Sequence, residues 1–267
     1  MPFLSRDGEE EWLLTTNSEA RERVFNWLQT QVQAGGFSVT VRDLTPEFLL
    51  LSVQGPYTQE AISQFFNQSL SLLSRFEGTW VEYNSIKVRV SRMAFSRVDG
   101  LELLFLREEG EDFFLKLSSF LTGQGFSWCG FGVRDLLRFE AGFPLYGREM
   151  DETVTPLELG KEKLIDWKKE NFIGKPPLVL EKKLGSKKKL IGMEVEGKGI
   201  PRWGYPIYNV AGLPCGYVTS GNYSFTLKKN LAMGFISSAQ DKLVEELYIL
   251  ASKKKLKARM VPLPFLS

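Results

Sequence analysis

The periodicity of the apolar residues changes along the chain, and this change constrains the fold more than any other feature. In the first half, segments with helical spacing alternate with segments of period two, such as Ile86, Val88 and Val90. Beyond Lys189, short β-rich pieces are separated by Gly and Pro turns, which is typical of a small barrel or sandwich. We therefore expect an α+β fold, with an antiparallel sheet in an N-terminal α/β layer and a small C-terminal all-β barrel.

The chain has 267 residues, enough for two domains that each bury a core. Residues 150–175 have mixed polarity and few periodic apolar positions, so we interpret them as a surface connection. We expect an α+β domain over residues 1–165 and a linker with the barrel over residues 166–267. The elements predicted for the first domain are, in order, strand 11–16, a helix capped by Asn17 and ended by Gly35 and Gly36, strands 38–43 and 48–53, helix 58–72, strands between 80 and 105, helix 112–122 and a short helix within 130–142.

Composition excludes several kinds of chemistry. The sequence contains no histidine, which removes Ser-His-Asp and Cys-His nucleophile systems and histidine-ligated zinc. Its two cysteines, Cys129 and Cys215, lack the paired spacing of a metal or redox motif, so no metal site is expected.

The formal net charge is only +2, and no apolar run is long enough for a membrane span, so we expect a cytoplasmic protein that binds neither nucleic acid nor membranes.

Four segments carry recognisable motifs in chain order. The first, Gly130–Glu158, reads GFGVRDLLRFEAGFPLYGREMDETVTPLE. The second is Asn171–Lys175, the third runs from Gly199 to Gly234 through PRWGYP, and the fourth is Pro262–Phe265. Together these motifs resemble the aminomethyltransferase family, which includes the glycine cleavage T-protein. The resemblance implies that the N-terminal layer is folate-binding and ferredoxin-like.

The resemblance also implies a function. In that family, an aminomethyl group carried on the lipoyl arm of a small protein is transferred to tetrahydrofolate, and ammonia is released. We therefore expect a transferase of one-carbon metabolism and glycine catabolism that uses tetrahydrofolate or its 5-formyl or methylene forms. Its expected partners are folate and a lipoyl-carrying protein. Related proteins accept other one-carbon donors on the same scaffold, so the donor stays open.

Candidate site residues follow from the same resemblance. A reduced pterin presents an amide N–H and an amino group side by side, and a carboxylate can accept both. The resemblance implies that this carboxylate is Glu140, that Lys169 binds the glutamate tail, and that Phe95 and Trp203 stack on the rings. The structural alternatives are a glutamate paired with a neighbouring arginine, a solvated lysine, and aromatic rings that only pack. The catalytic residue stays unassigned.

Two departures from the family favour an alternative function. Residues 92–102 read RMAFSRVDGLE where the family usually has Arg-Thr-Gly-Tyr-Thr-Gly-Glu-x-Gly-Phe-Glu. When the chain is aligned on the family, Met1 falls near an Asp-Asp pair, so the acidic residue near the reacting nitrogen and the family's N-terminal part would be absent. The alternative is a non-catalytic folate-binding or regulatory module of the same fold.

Overall fold

The computed structural model describes residues 3–94, 96, 98–238, 246–251 and 254–266. The chain forms two compact units, one up to Arg134 and one from Asp135 onwards. The sequence-based boundary at residue 165 stays a prediction.

The first unit is an α+β unit with one main sheet. The elements are β1 (Phe3–Arg6), β2 (Trp12–Thr15), α1 (Arg21–Gly35), β3 (Phe48–Gln54), α2 (Thr58–Phe66), β4 (Gly78–Tyr83), β5 (Ile86–Ser91), β6 (Gly100–Leu106) and α3 (Gly110–Gly123), with 3-10 turns at Ser18–Ala20 and Arg107–Glu109. The sheet has the strand order β3-β6-β5-β4, all antiparallel, and β1 and β2 form a separate antiparallel hairpin. A further helix, α4 (Phe131–Glu140), begins in this unit and continues into the second.

One face of the sheet carries the core of the first unit. Alternate residues of β6, namely Leu101, Leu103 and Phe105, are almost fully buried, as are Ile62 of α2 and Phe113 of α3. Period-two alternation therefore places the intervening residues of β6 on the opposite face of the sheet.

Two local predictions for the first unit are wrong. Residues 38–43 form no strand, although their apolar residues alternate. A strand needs a hydrogen-bonded neighbour, and none of the strand pairings among the described residues of this unit includes residues 38–43. Helix α2 ends at Phe66 rather than near residue 72, because Asn67 adopts a left-handed conformation with φ 50° that stops the helix.

The second unit is built around a closed barrel. The elements are α5 (Lys175–Leu184), β7 (Lys188–Val195), β8 (Pro206–Tyr208), β9 (Pro214–Ser224), β10 (Lys229–Ser237), β11 (Glu246–Ala251) and β12 (Lys254–Val261), with a 3-10 turn at Glu162–Leu164. The strand order of the barrel is β10-β7-β12-β11-β8-β9, with antiparallel pairing throughout. Apolar side chains such as Met193, Ile207 and Leu247 fill the core.

The predicted α+β class, with an antiparallel sheet followed by a C-terminal barrel, is confirmed. Helix α5 was not predicted, although Pro176 and Pro177 in its first turn are a known helix-start signal. Strand β11 was also missed. Within the described ranges, no helix is both long and apolar enough to cross a membrane.

Candidate functional site

A row of polar residues crosses the main sheet on the face opposite the core. Glu102 lies in β6 between the buried residues Leu101 and Leu103, and its own side chain is half-buried. Its cross-strand neighbours are Ser52 of β3 and Ser91 of β5. Directly opposed residues in antiparallel strands have Cβ atoms about 4.5–5.5 Å apart. We call Ser52, Glu102 and Ser91 the polar row.

The Glu102 carboxyl has an unusual environment. Burial raises its pKa above the ordinary value for a glutamate, and the positive charge of Arg134 only partly counteracts this effect. Among the residues that the structure describes, none donates a hydrogen bond to this carboxylate. A half-buried carboxyl that keeps a raised pKa and lacks a donor is a candidate for ligand binding.

An ion pair joins Arg92 and Asp99, the two ends of the segment between β5 and β6 that precedes Glu102. Arg92 donates to Asp99 through two parallel hydrogen bonds, from Nε to Oδ1 at 3.0 Å and from Nη2 to Oδ2 at 2.9 Å. The hydrogen bonds from Arg92 lower the pKa of Asp99. The Gln54 side chain donates to the Met93 carbonyl oxygen at 3.2 Å, which attaches the segment to the end of β3. Phe95, predicted to stack on the ligand, lies outside the described residues.

A second ion pair lies beside the polar row. Arg89 is 5% exposed and donates from Nε to Asp7 Oδ1 at 2.7 Å and from Nη2 to Ser5 Oγ at 3.1 Å. Its Nη1 donates to Ser91 Oγ. Trp80 Nε1 donates to the other oxygen of Asp7 at 3.0 Å. These contacts attach the β1–β2 hairpin to the face of the sheet that carries the polar row.

In the second unit, the predicted pterin ligand Glu140 is 2% exposed. Its carboxylate accepts hydrogen bonds from the hydroxyls of Ser224 and, at 3.1 Å, Thr226. Both donors lie at the end of β9 and in the turn that follows. The carboxylate is therefore bound by two hydroxyl groups of the barrel unit, and its contact with folate stays a prediction.

Helix α4 ends as predicted from the glycine that follows it. Gly142 has φ 65°, the Phe143 N–H donates to the Arg138 carbonyl oxygen at 2.9 Å, and the Gly142 N–H donates to the Phe139 carbonyl oxygen at 2.9 Å. This pair of bonds is a Schellman motif. A Cβ atom at Gly142 would lie 2.9 Å from Pro264 Cα, so only glycine fits there.

Arg138 forms the most extensive polar contacts of the second unit. It is 3% exposed and donates to Asp135 Oδ1 at 2.7 Å, to Glu149 Oε2 at 2.8 Å and to Ser220 Oγ at 3.1 Å. Glu149 is fully buried and also accepts from the Ser220 hydroxyl at 2.6 Å and from the Leu145 N–H at 3.0 Å. Much of the motif over residues 130–158 therefore stabilises the fold.

The two remaining predicted site residues are exposed. Lys169 lies in a surface turn whose carbonyl groups accept hydrogen bonds from Lys175 Nζ. Trp203 is 61% exposed, in a turn where the Gly204 N–H donates to the Val218 carbonyl oxygen at 2.8 Å. Within the described part of the second unit, no hydrogen bond or ring contact joins Glu140, Lys169 and Trp203. Their role in binding stays a prediction.

Sequence reasoning overlooked the polar row. The available signal was Glu102 itself, a charged residue between apolar strand positions at the end of the segment that resembles Gly-Phe-Glu. Its two serine neighbours lie far from it in the sequence, so the row becomes visible only with the strand register.

Comparisons with known proteins agree with the motifs and with the fold. The family model described as the GCVT N-terminal domain matches residues 2–169, and the Glycine cleavage T-protein C-terminal barrel domain matches residues 188–266. An aminomethyltransferase of Geobacillus thermodenitrificans is 36% identical over 265 residues, covering 98% of this chain and 72% of that protein. An aminomethyltransferase of Aquifex aeolicus is 36% identical over 258 residues, covering 97% of this chain and 67% of that protein.

A solved structure shares the fold. The glycine cleavage system aminomethyltransferase T from Bartonella henselae has a TM-score of 0.88 and 24% sequence identity, with 98% of this chain and 71% of that chain covered. Both family models and the curated relatives identify the same group of proteins. The chain therefore belongs to the aminomethyltransferase family of glycine cleavage T-proteins.

Proposed function

We propose that the protein binds tetrahydrofolate and transfers an aminomethyl unit to it, as a glycine cleavage aminomethyltransferase does. The family supports a one-carbon transferase. The single observation that carries the folate site is the half-buried Glu102 carboxyl, which has a raised pKa and no hydrogen-bond donor among the described residues.

The pterin edge fits this carboxyl. Its amide N–H and amino group are two coplanar donors, and an ionised carboxylate accepts both at once. Donors to the ionised form lower a carboxyl pKa, so binding would offset the cost of burying the charge of Glu102. The charge of Arg134 further favours the ionised form.

Transfer itself depends mainly on positioning. Tetrahydrofolate supplies the nitrogen that accepts the one-carbon unit, and the lipoyl arm of a carrier protein supplies that unit. In our proposal, Glu102 orients the pterin, while the Arg92–Asp99 pair holds the neighbouring segment in place. A correctly oriented acceptor lowers the barrier by removing the entropy cost of encounter.

The residues predicted from the resemblance remain part of the proposal as secondary contacts. Glu140 is the alternative carboxylate for the pterin, Lys169 the cation for the glutamate tail, and Phe95 and Trp203 the stacking rings. The Glu140 carboxylate already accepts from the Ser224 and Thr226 hydroxyls, one on each oxygen, and each oxygen can accept one further hydrogen bond.

A second candidate function is folate binding without turnover. The departures over residues 93–98, where Met93, Ala94, Arg97 and Val98 replace the family's Thr, Gly, Gly and Glu, favour it. Gln54 still donates to the Met93 carbonyl oxygen and Arg92 still pairs with Asp99, so a binding face can persist without the family's usual residues.

Two assays on the wild-type protein test the proposal. Calorimetric titration with 5-formyl-tetrahydrofolate measures binding, and formation of methylene-tetrahydrofolate from an aminomethyl-loaded lipoyl carrier protein measures transfer. We expect saturable binding and transfer. Binding without transfer would support the second candidate instead, and the absence of saturable folate binding would contradict both.

A further inference from the structure

Helix α1 is followed by a segment without regular secondary structure, residues 38–43, which we call the unpaired segment. We infer that this segment is a docking site for one further β-strand. The strand is supplied by the part of the family's polypeptide that lies outside the range matched between this chain and its relatives. The inference concerns a protein interface and does not depend on folate binding.

The backbone of the unpaired segment has free hydrogen-bonding groups. Residues 38–43 contain no helix, turn or bend. In the part of the first unit that the structure describes, no strand pairing includes them and no backbone–backbone hydrogen bond involves them. Each residue therefore offers an unused N–H donor and C=O acceptor. Such a row of donors and acceptors is a template for an added strand.

The sequence of the segment favours a strand. Val39, Thr40 and Val41 are consecutive β-branched residues, which are enriched in strands. Apolar side chains alternate with polar ones from Phe37 onwards, as in a strand with one covered face. Phe37 and Val39 are nevertheless 62% and 61% exposed. The local signal for a strand is therefore present, and what is missing is the neighbour that would pair with it and cover its apolar face.

Both ends of the unpaired segment are attached to α1. Gly36 ends the helix with φ 61°, and the Phe37 N–H donates to the Val32 carbonyl oxygen at 3.2 Å. At the other end, Arg21 Nε donates to Asp43 Oδ2 at 2.7 Å. The segment therefore runs back along the helix, from its last turn to its first residue. A segment that is already held at both ends loses less conformational entropy when a strand pairs with it.

Helix α1 also lacks cover. Its apolar residues Val24, Trp27, Leu28 and Val32 recur with helical spacing. Among residues 21–35, all of which the structure describes, none is buried, and Trp27 is 46% exposed. Most of the stability of a helix in a globular protein comes from packing of its apolar face. The helix and the unpaired segment thus both expose surfaces that are normally covered.

The lengths of the relatives indicate what covers these surfaces. The Geobacillus and Aquifex proteins match 98% and 97% of this chain, but the matched ranges cover only 72% and 67% of those proteins. More than a quarter of each relative therefore lies outside the matched range. Polypeptide of that length can supply a strand and a covering layer. A second copy of this chain is the competing occupant, and the experiment distinguishes the two.

The test is co-expression of this chain, carrying an affinity tag, with the unmatched part of the Geobacillus relative as a separate polypeptide. We expect the two to purify together in a 1:1 ratio. Hydrogen–deuterium exchange of the amides of residues 38–42 should be at least about tenfold slower in the complex than in this chain alone, because strand pairing protects backbone N–H groups. Size-exclusion chromatography of this chain alone should show a monomer at all concentrations.

Variants of the unpaired segment test its role directly. Val39→Asp places a charge on the apolar face, and Thr40→Pro removes an N–H from the middle of the segment. Each should lower the copurified amount at least about tenfold without changing the thermal stability of this chain, because Val39 is exposed and the backbone of residue 40 makes no hydrogen bond among the described residues. Leu72→Asp is the matched control, since Leu72 is 91% exposed in the same unit, and it should leave the copurified amount unchanged.

Three results would overturn the inference. The first is failure of the wild-type chain to retain the unmatched polypeptide, and the second is a complex in which residues 38–42 exchange as fast as in this chain alone. The third is protection of these amides in this chain alone that increases with its concentration, which would assign the segment to a second copy. None of these results bears on folate binding, so the proposed function stands or falls by its own assays.

Discussion

Replacing Glu102 by Gln is expected to weaken the binding of 5-formyl-tetrahydrofolate roughly thirtyfold to several hundredfold. Glutamine keeps the size of the side chain but loses the charge, and its amide group presents a donor to one of the two pterin donors. Folding should be little affected, because no described residue donates to this carboxylate. Calorimetric titration at neutral pH measures the change in affinity.

Glu140→Gln tests the alternative carboxylate in the same titration. Glu140 is 2% exposed and already binds the hydroxyls of Ser224 and Thr226. Its replacement should lower the thermal stability of the second unit and change folate affinity much less than Glu102→Gln does. If Glu140→Gln lost the affinity at unchanged stability while Glu102→Gln kept it, the pterin contact would belong to Glu140.

The largest expected effect on stability is that of Arg138→Met. This change leaves the Glu149 carboxylate buried without its cation and removes the donors to Asp135 and Ser220. Removing one partner of a buried ion pair typically costs about 3–5 kcal/mol. We expect a loss of this size in the free energy of unfolding of the second unit, measured by urea denaturation.

An exposed ion pair of the same unit serves as the comparison. Arg259 donates to Glu194 at 2.9 Å, and its side chain is 57% exposed. Arg259→Met should cost less than about 1 kcal/mol, because water screens the pair and Lys229 also donates to Glu194. Equal losses for the two variants would show that burial of Arg138 does not determine its contribution.

Much of the fold could be predicted from local sequence patterns. Alternation at Leu101, Leu103 and Phe105 indicates a strand with one buried face, and Gly142 indicates the end of helix α4. The strand expected at residues 38–43 failed because alternation alone does not supply a hydrogen-bonded neighbour. Helix α5 could have been found from its two N-terminal prolines.

The candidate site was harder to predict, because it depends on contacts between residues far apart in the chain. The motif around Glu140 drew attention to that residue, but its hydroxyl donors Ser224 and Thr226 lie in the barrel unit and carry no linear signal. Glu102 became a candidate only when the register placed Ser52 and Ser91 beside it and its burial was known. The motif therefore identified the family, and its assignment of Glu140 to the pterin stays a prediction.

The central claim is that the Glu102 carboxylate binds the pterin, and the pKa of this group measures it most directly. Carbon-13 NMR of labelled glutamate, assigned with Glu102→Gln, would follow the titration of Glu102 with and without 5-formyl-tetrahydrofolate. Burial raises the pKa of the free group, and two ligand donors lower it, so the midpoint should fall on binding and affinity should weaken as pH drops through the free midpoint. An identical midpoint in both states, with the ligand bound, would contradict the account.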